Sequence, residues 1–411
     1  MILALQQIIQ MRKASTLFIF ITLLIDIIGI GLIIPVLPSL IKEFTNKDFS
    51  LASEYTGYLI SVYAIMQFIC SPILGGLSDQ YGRRPVLLFS LFGFGIDHLL
   101  LFFAPSLGWL FLGRIIAGIT GGSFTTASAY IADVSPPEKR AQNFGMIGAA
   151  FGIGFIIGPT IGGFLGDINI RLPFLVAAIM SLLNWLYGYF ILPESLSIEN
   201  RRKFSWKRAN PIGSLMNLAK HPAILGLVSV LVCVQLAGQV HPSTWPLFTM
   251  KEFNWTNKQV GFSLGFVGIM VALVQGLLIR SIVPKLGEQK SIYIGLGFYA
   301  LGFFLFSIAN QGWMMYAIMI PFALSGIAGP TIQGLVSKQV PPNQQGELQG
   351  GLTSLVSLTA IFGPLIHTKL FAYFSNPSNP IYFPGAAFLF GSILALISIL
   401  IFLSIDKIKY N

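Results

Sequence analysis

The chain has 411 residues, 54% of them hydrophobic and only 10% charged, with a mean hydropathy of +0.76. A soluble protein carries roughly a quarter charged residues, so this composition excludes a soluble enzyme and leaves a polytopic membrane protein with short connections. The formal charge of +10 belongs to basic loops facing one side of a bilayer and not to a nucleic-acid partner.

At about 20 residues per span the chain has room for about twelve helices. The apolar runs are continuous, which excludes a β-barrel. They predict spans over 14–41, 55–76, 85–105, 107–132, 141–166, 172–192, 222–249, 258–280, 289–310, 312–338, 346–374 and 382–405. Residues 1–10 precede Met11-Arg12-Lys13, a more natural cytoplasmic start. They read as a loose amphipathic lead or as lying outside the mature chain. No cleavable signal peptide is expected, because the first apolar run is too long and lacks a small-residue cleavage site. Cys70 and Cys233 both lie in apolar runs and predict no disulfide framework.

Two of these spans meet at Gly75-Gly76-Leu77-Ser78-Asp79-Gln80-Tyr81-Gly82-Arg83-Arg84. So short a connection makes a hairpin, and its basic tip stays in the cytoplasm. That orientation puts both termini in the cytoplasm and most of the 25 Lys and Arg on the same side. Asp79, Asp133 and Arg140 fall at the same level as Arg83 and Arg84. Charges there read either as a solvated belt or as parts of a cytoplasmic gate.

The chain repeats itself. Ser135-Pro136-Pro137, then Gly145 and Gly158-Pro159, recur as Val340-Pro341-Pro342, then Gly350 and Gly363-Pro364. Gly57 and Gly108-Trp109 recur at nearly the same offset as Gly261 and Gly312-Trp313. A duplication predicts two six-helix halves, 1–193 and 222–411, joined by a basic cytoplasmic linker over 194–221. Parallel repeats of this kind place a substrate site near the midplane, between the halves.

Three ionisable residues fall inside spans of the first half: Asp26, Asp97 and Arg114. Such residues are expensive in hydrocarbon and are functional by default. Counted at 1.5 Å per residue, their depths nearly coincide, so one cluster is expected. It reads as a proton-loading site, or as a static ion pair between Arg114 and one aspartate. The second half has no acidic residue in a span interior. Its polar groups are Gln235, Gln239, Gln275, Gln333 and Tyr299, each a substrate contact or an interhelical hydrogen bond. His241 and His367 read as interfacial. No Walker-type loop, nucleophile–base pair or metal-spaced Cys/His cluster occurs, so neither enzyme chemistry, a metal nor a bound cofactor is expected.

The hairpin loop, G-x-L-x-D-x-x-G-R-[RK], resembles the signature loop of the major facilitator superfamily of transporters. Gly154, Gly158, Pro159, Gly162 and Gly163 resemble the span 5 pattern of its proton-coupled exporters, and Arg114-Ile115-Ile116-Ala117-Gly118 its span 4 pattern. Small residues there also suit plain helix packing, and Pro159 bends the helix. Within the superfamily, Ser78–Leu88, Asp97, Leu112–Gly121, Ile131-Ala132-Asp133, Val260–Leu264, Gly287-Glu288 and Leu348-Gln349-Gly350 are similar to the tetracycline-efflux subfamily.

The resemblance implies an all-α, twelve-span major facilitator fold in a bacterial cytoplasmic membrane. It implies a monomer that exchanges protons, its only coupling ion, for an amphipathic small molecule. A sugar or metabolite importer is the alternative, and a receptor on a transporter fold is a third reading. The resemblance makes Asp26 and Asp97 the coupling acids and Gln275 a pocket residue. It sets Asp79 against the start of span 11, near Gln345-Gly346. The chain departs at two positions. The tetracycline pumps carry a histidine in span 8 and an aspartate in span 9, where this chain has Val271 and Tyr299. A site without that ionisable pair points away from metal-chelated tetracycline; a siderophore, a metabolite or a hydrophobic drug stay open.

Overall fold

The computed structural model describes residues 2–136, 140–206, 209–211, 213, 222–339 and 345–410, with side chains over the same residues except 2–16, 140–142, 222–223, 345–347 and 406–410. Every element among them is helical. Eleven helices are long and apolar enough to cross a membrane, and a bent pair, Leu17–Ile33 with Leu37–Phe44, supplies a twelfth span. Helices α1 (Ile2–Ile33) and α2 (Leu37–Phe44) meet at 44°. Pro35 sits at the bend, where its missing N–H cannot continue the ladder.

Helix α3 (Phe49–Tyr81) is longer than the apolar run predicts. Asp48 accepts from the Ser50 and Leu51 amides at 2.8 and 3.3 Å, and this cap starts the helix six residues before Tyr55. Helix α4 (Arg83–Phe102) follows the loop. The fourth span is broken at Gly121-Gly122 into α5 (Leu107–Thr120) and α6 (Ser123–Val134). Helices α7 (Arg140–Ile168) and α8 (Leu172–Ile191) complete the first six spans.

The seventh span joins α9 (Pro222–Gly238) to α10 (Val240–Phe253). The eighth begins in a capping box between Thr256 and Gln259. It runs through α11 (Asn257–Leu273), a π turn at Val274–Leu278 and α12 (Ile279–Leu286). It therefore passes the predicted end at Arg280, whose side chain is exposed and can lead its charge to the interface. Next come α13 (Glu288–Ile308), α14 (Gly312–Ala323), a 3₁₀ turn at Leu324–Ile327, α15 (Ala328–Lys338), α16 (Gln345–Phe374) and α17 (Ala386–Tyr410).

Packing divides the chain into two compact units, Met1–Val36 with Ile65–Asn210, and Leu37–Ala64 with Pro211–Asn411. The first is built on Phe18, Ile19, Leu23 and Ile27 of α1 against Leu87, Tyr130, Ile131 and Ile147. The second is built on Ile224, Leu227 and Val230 against Ile292, Leu296, Ile332, Val336 and Phe402. The span 1–2 connection belongs to the second unit for a specific reason. Ser50, Ser53 and Ser61 of α3 donate to the carbonyls of Ala372, Thr368 and Ile361 of α16 at 2.9, 2.8 and 2.7 Å. Lipid tails give no hydrophobic drive for helix pairing, so such bonds and close contacts hold helices together.

Candidate functional site

Asp97 of α4 is fully buried, and Arg114 of α5 donates from Nη2 to its Oδ2 in a short charge-assisted bond. Gly113 allows this approach, since a Cβ there would lie 2.7 Å from Asp97 Oδ1. His98 closes the other side, its Nε2 4.0 Å from Asp97 Oδ2. Its ring rests on α1 at Gly29, where Cε1 lies 3.6 Å from the place of a Cβ. Asp26 stands apart from the ion pair. It is 9% exposed and neither carboxylate oxygen has a hydrogen-bond partner. The Ser123 side chain, at the start of α6, approaches it without reaching hydrogen-bond geometry. The expected cluster is thus a buried pair, Asp97–Arg114, and a lone acid. An ionised carboxylate buried without a partner is costly, so a lone acid here marks a functional position.

The span 2–3 loop is a charge network within the first unit. Arg83 donates to Asp79 Oδ1 at 2.5 Å, to Ser78 Oγ at 2.7 Å and to Asp133 Oδ2 at 3.1 Å. Arg84 donates to the Tyr189 carbonyl at 2.6 Å. The Glu194 carboxylate accepts from the Arg83 and Arg84 amides at 2.8 and 3.2 Å and so caps α4, where the helix dipole favours an anion. Gly82 makes room at φ +108°, because a Cβ there would lie 2.2 Å from Glu194 Oε2. The start of the linker lies along the loop. The Arg202 amide donates to the Asp79 carbonyl at 3.0 Å, and the Phe204 amide to Gln80 Oε1 at 2.8 Å. A Cβ at Gly76 would meet the Phe204 ring at 2.9 Å, whereas one at Gly75 would meet nothing. The side chains of Arg140 and Gln345 and much of the linker lie outside the described residues.

On α7 the motif glycines face α1 of the same unit. A Cβ at Gly154 would meet Ile27 at 2.7 Å, at Gly158 the Gly31 Cα at 2.8 Å, and at Gly162 the Leu32 carbonyl at 2.2 Å. Gly163 and Pro159 are buried with them. Packing therefore accounts for these glycines.

The second unit groups amides and aromatics. Gln235, Gln333 and Thr359 line a cleft of about 70 Å³ with Leu231, Leu352 and Leu355. Gln333 donates to Gln349 Oε1 at 3.3 Å. Gln275 is exposed on the π turn, its Nε2 3.6 Å from the Cβ position of Gly326 on the 3₁₀ turn. Gln239 lies at the break of span 7 against Gly363. Tyr299 stacks on Phe322 with ring centres 5.5 Å apart and donates to the Val234 carbonyl at 3.2 Å. The reading of His241 and His367 as interfacial is corrected. His241 packs among Trp245, Phe303 and Phe322, with ring centres 5.7, 5.4 and 5.2 Å away. His367 is fully buried, its Nε2 2.9 Å from the Leu236 carbonyl. Aromatic rings of α10, α13 and α14 cover His241, and Phe390 of α17 faces His367 with ring centres 5.7 Å apart, which position along the sequence could not reveal.

The sequence pattern of the Major Facilitator Superfamily matches residues 19–364. The chain belongs to this superfamily. It is 42% identical to the class C tetracycline resistance protein of Escherichia coli, over 92% of this chain and 93% of that one. It is 38% identical to the class B protein of Escherichia coli, over 95% of each. It is 30% identical to multidrug resistance protein 2 of Bacillus subtilis, over 94% of this chain and 96% of that one. Among solved structures, the nucleoside transporter NupG superposes with a TM-score of 0.77 at 15% identity, covering 95% of this chain and 99% of that one. The human organic anion transporter TETRAN does so with 0.69 at 23% identity, over 95% and 99%. These last two share the fold. The protein is therefore a multi-pass membrane transporter of the major facilitator type.

Two residues of these polar networks escape a motif search. Glu194 is simply the first carboxylate after span 6, and only the fold brings it back to α4. His98 follows Asp97 in an otherwise apolar run, which gives no sign of its proximity to α1.

Proposed function

We propose that this transporter exports a small amphipathic molecule from the bacterial cytoplasm in exchange for protons, working as a monomer with both termini cytoplasmic. The carrying observation is that one unit buries both the Asp97–Arg114 pair and the unpartnered Asp26. Opposite charge favours an ionised carboxylate and burial favours a protonated one. A change of access or of the Arg114 contact therefore turns proton affinity into motion. The relatives named for tetracycline and multidrug resistance support the outward direction over the importing alternative. The network of Gly75, Asp79, Gly82, Arg83, Arg84 and Asp133 serves as the cytoplasmic gate, with Arg140 assigned from sequence.

Recognition falls to uncharged groups, Gln235, Gln239, Gln275 and Gln333. Val271 offers no ligand to a metal chelate, and the Tyr299 hydroxyl is engaged by Val234. The substrate class is accordingly neutral or weakly polar organic molecules. The test uses everted membrane vesicles and a panel of fluorescent amphipathic compounds, with and without an imposed pH gradient. Uptake into the vesicles that collapses with the gradient and is absent in Asp97→Asn is expected. Uptake indifferent to both overturns proton coupling.

A further inference from the structure

We infer that His98 carries the coupling proton between Asp97 and Asp26. This rests on the proton-exchange reading above and adds a third titrating group to it. Neighbours i and i+1 on a helix do not normally face each other, yet His98 Nε2 stands 4.0 Å from Asp97 Oδ2. The ring reaches away from α4 to α1, where it meets Gly29. Asp26 is one turn back on the same face of α1. His98 Nδ1 is buried without a partner, as are Asp97 Oδ1 and both oxygens of Asp26. A histidine present only for packing satisfies its ring nitrogens; this one leaves Nδ1 without a partner while it lies beside Asp97 and against the helix that carries Asp26.

The surroundings leave few competitors. Helix α4 supplies Asp97 and α5 supplies Arg114. Helix α1 supplies Asp26. Helix α8, packed along α4, has no acidic or basic side chain between Leu172 and Ile191, and α6 has only Asp133 at its far end. The transfer balances. The Asp97 carboxylic O–H breaks as Nε2 takes the proton, leaving a carboxylate paired with Arg114 and a cationic imidazolium. The imidazolium then releases its Nδ1 proton to the Asp26 carboxylate, and the ring is neutral again. A rotation of His98 closes the 4.0 Å gap.

The experiment is ¹⁵N-imidazole NMR on the full chain in phospholipid nanodiscs, across pH 5 to 9, with no substrate needed. The chain has four histidines, and the His98 signal is the one lost in His98→Gln, or in His98→Asn if that variant folds better. Infrared carboxyl bands follow Asp97 and Asp26 in the same samples. His98 should titrate, and its midpoint should move by about one unit or more in Asp97→Asn and in Asp26→Asn. If both acids titrate while His98 keeps one protonation state throughout, the relay is overturned and the proton-exchange reading stands. If neither acid titrates, that underlying reading fails with it. A His98 that titrates with the same midpoint in all three proteins also overturns the relay.

Discussion

Between Ile65 and Asn210 the buried polarity is ionic: Asp97 against Arg114, and Arg83 among Asp79, Asp133 and Ser78. Between Pro211 and Asn411 it is neutral: glutamines around a cleft and imidazoles among aromatic rings. Both regions are built of helices, so the difference comes from the side chains and not from the helical frame. Ionised groups change their charge with pH and can couple to a gradient. Amides, tyrosines and phenylalanines keep theirs and can only recognise. Under the proposed function the contrast is a division of labour, with proton handling in the first unit and ligand selection in the second.

The largest expected effect breaks the ionic side. Asp97→Asn should cut gradient-driven transport at least about a hundredfold, a loss of about 2.8 kcal/mol. It also leaves Arg114 without its counter-charge, and breaking a buried pair costs about 3–5 kcal/mol. Thermal unfolding in detergent should therefore fall in Asp97→Asn and recover in Asp97→Asn/Arg114→Gln. Transport should recover in neither. Wild-type uphill transport in the double variant would remove Asp97 from the mechanism.

The next effect tests the neutral side. A metal-chelated tetracycline carries charge, and Val271 gives it no partner. Burying charged or polar groups unpaired costs several kcal/mol, and about 2.8 kcal/mol is a hundredfold in affinity. Expression in a susceptible bacterium should give little tetracycline resistance, and Val271→His should raise it. Strong magnesium-dependent resistance from the unaltered protein would show that Gln235, Gln275 or the first-unit acids supply the contacts.

Much of this arrangement was legible in the sequence because the bilayer imposes it. Twelve apolar runs gave the spans, and equal depths of Asp97 and Arg114 on adjacent spans anticipated their contact. What sequence could not give depends on which way helices face. Asp26 was expected at the depth of the ion pair, yet neither of its oxygens takes a partner there. The α7 glycines follow an exporter motif, yet their partner α1 is set by packing. The break of span 4 at Gly121-Gly122 has a glycine signal; the π turn at Val274–Leu278 has none, being fixed by tertiary contacts.

At the gate the effects are smaller. Ala at position 82 must hold φ +108° and displace Glu194, a strain of about 1–3 kcal/mol. Gly82→Ala should lower thermal stability accordingly. Glu194→Gln removes only the charge at the start of α4, worth about 0.3–1 kcal/mol exposed and up to about 2 partly buried. Asp79→Asn removes one of two carboxylates on Arg83 and should do less than Glu194→Gln. Both should change turnover more than substrate affinity. Turnover and stability at wild-type values in both would make the network a solvated belt.

The smallest effect sits at the rim of the second unit, where charge does occur. The Tyr382 hydroxyl donates to Glu252 Oε1 at 2.9 Å. Burial and this carboxylate push the phenol up to about 12, from an ordinary 10.0. A group whose affinity for its proton rises on folding stabilises the fold while protonated. The contribution is complete below pH 10 and is lost as the pH rises toward 12. Half of Tyr382 is open to solvent, at 49%, so screening keeps the gain well below 1 kcal/mol. Tyr382→Phe should lie slightly below wild type in thermal stability at pH 8, and the gap should close by pH 12. A gap that persists there would mean that the ring, and not the hydrogen bond to Glu252, holds this loop, and that the second unit makes no use of charge even at its edge.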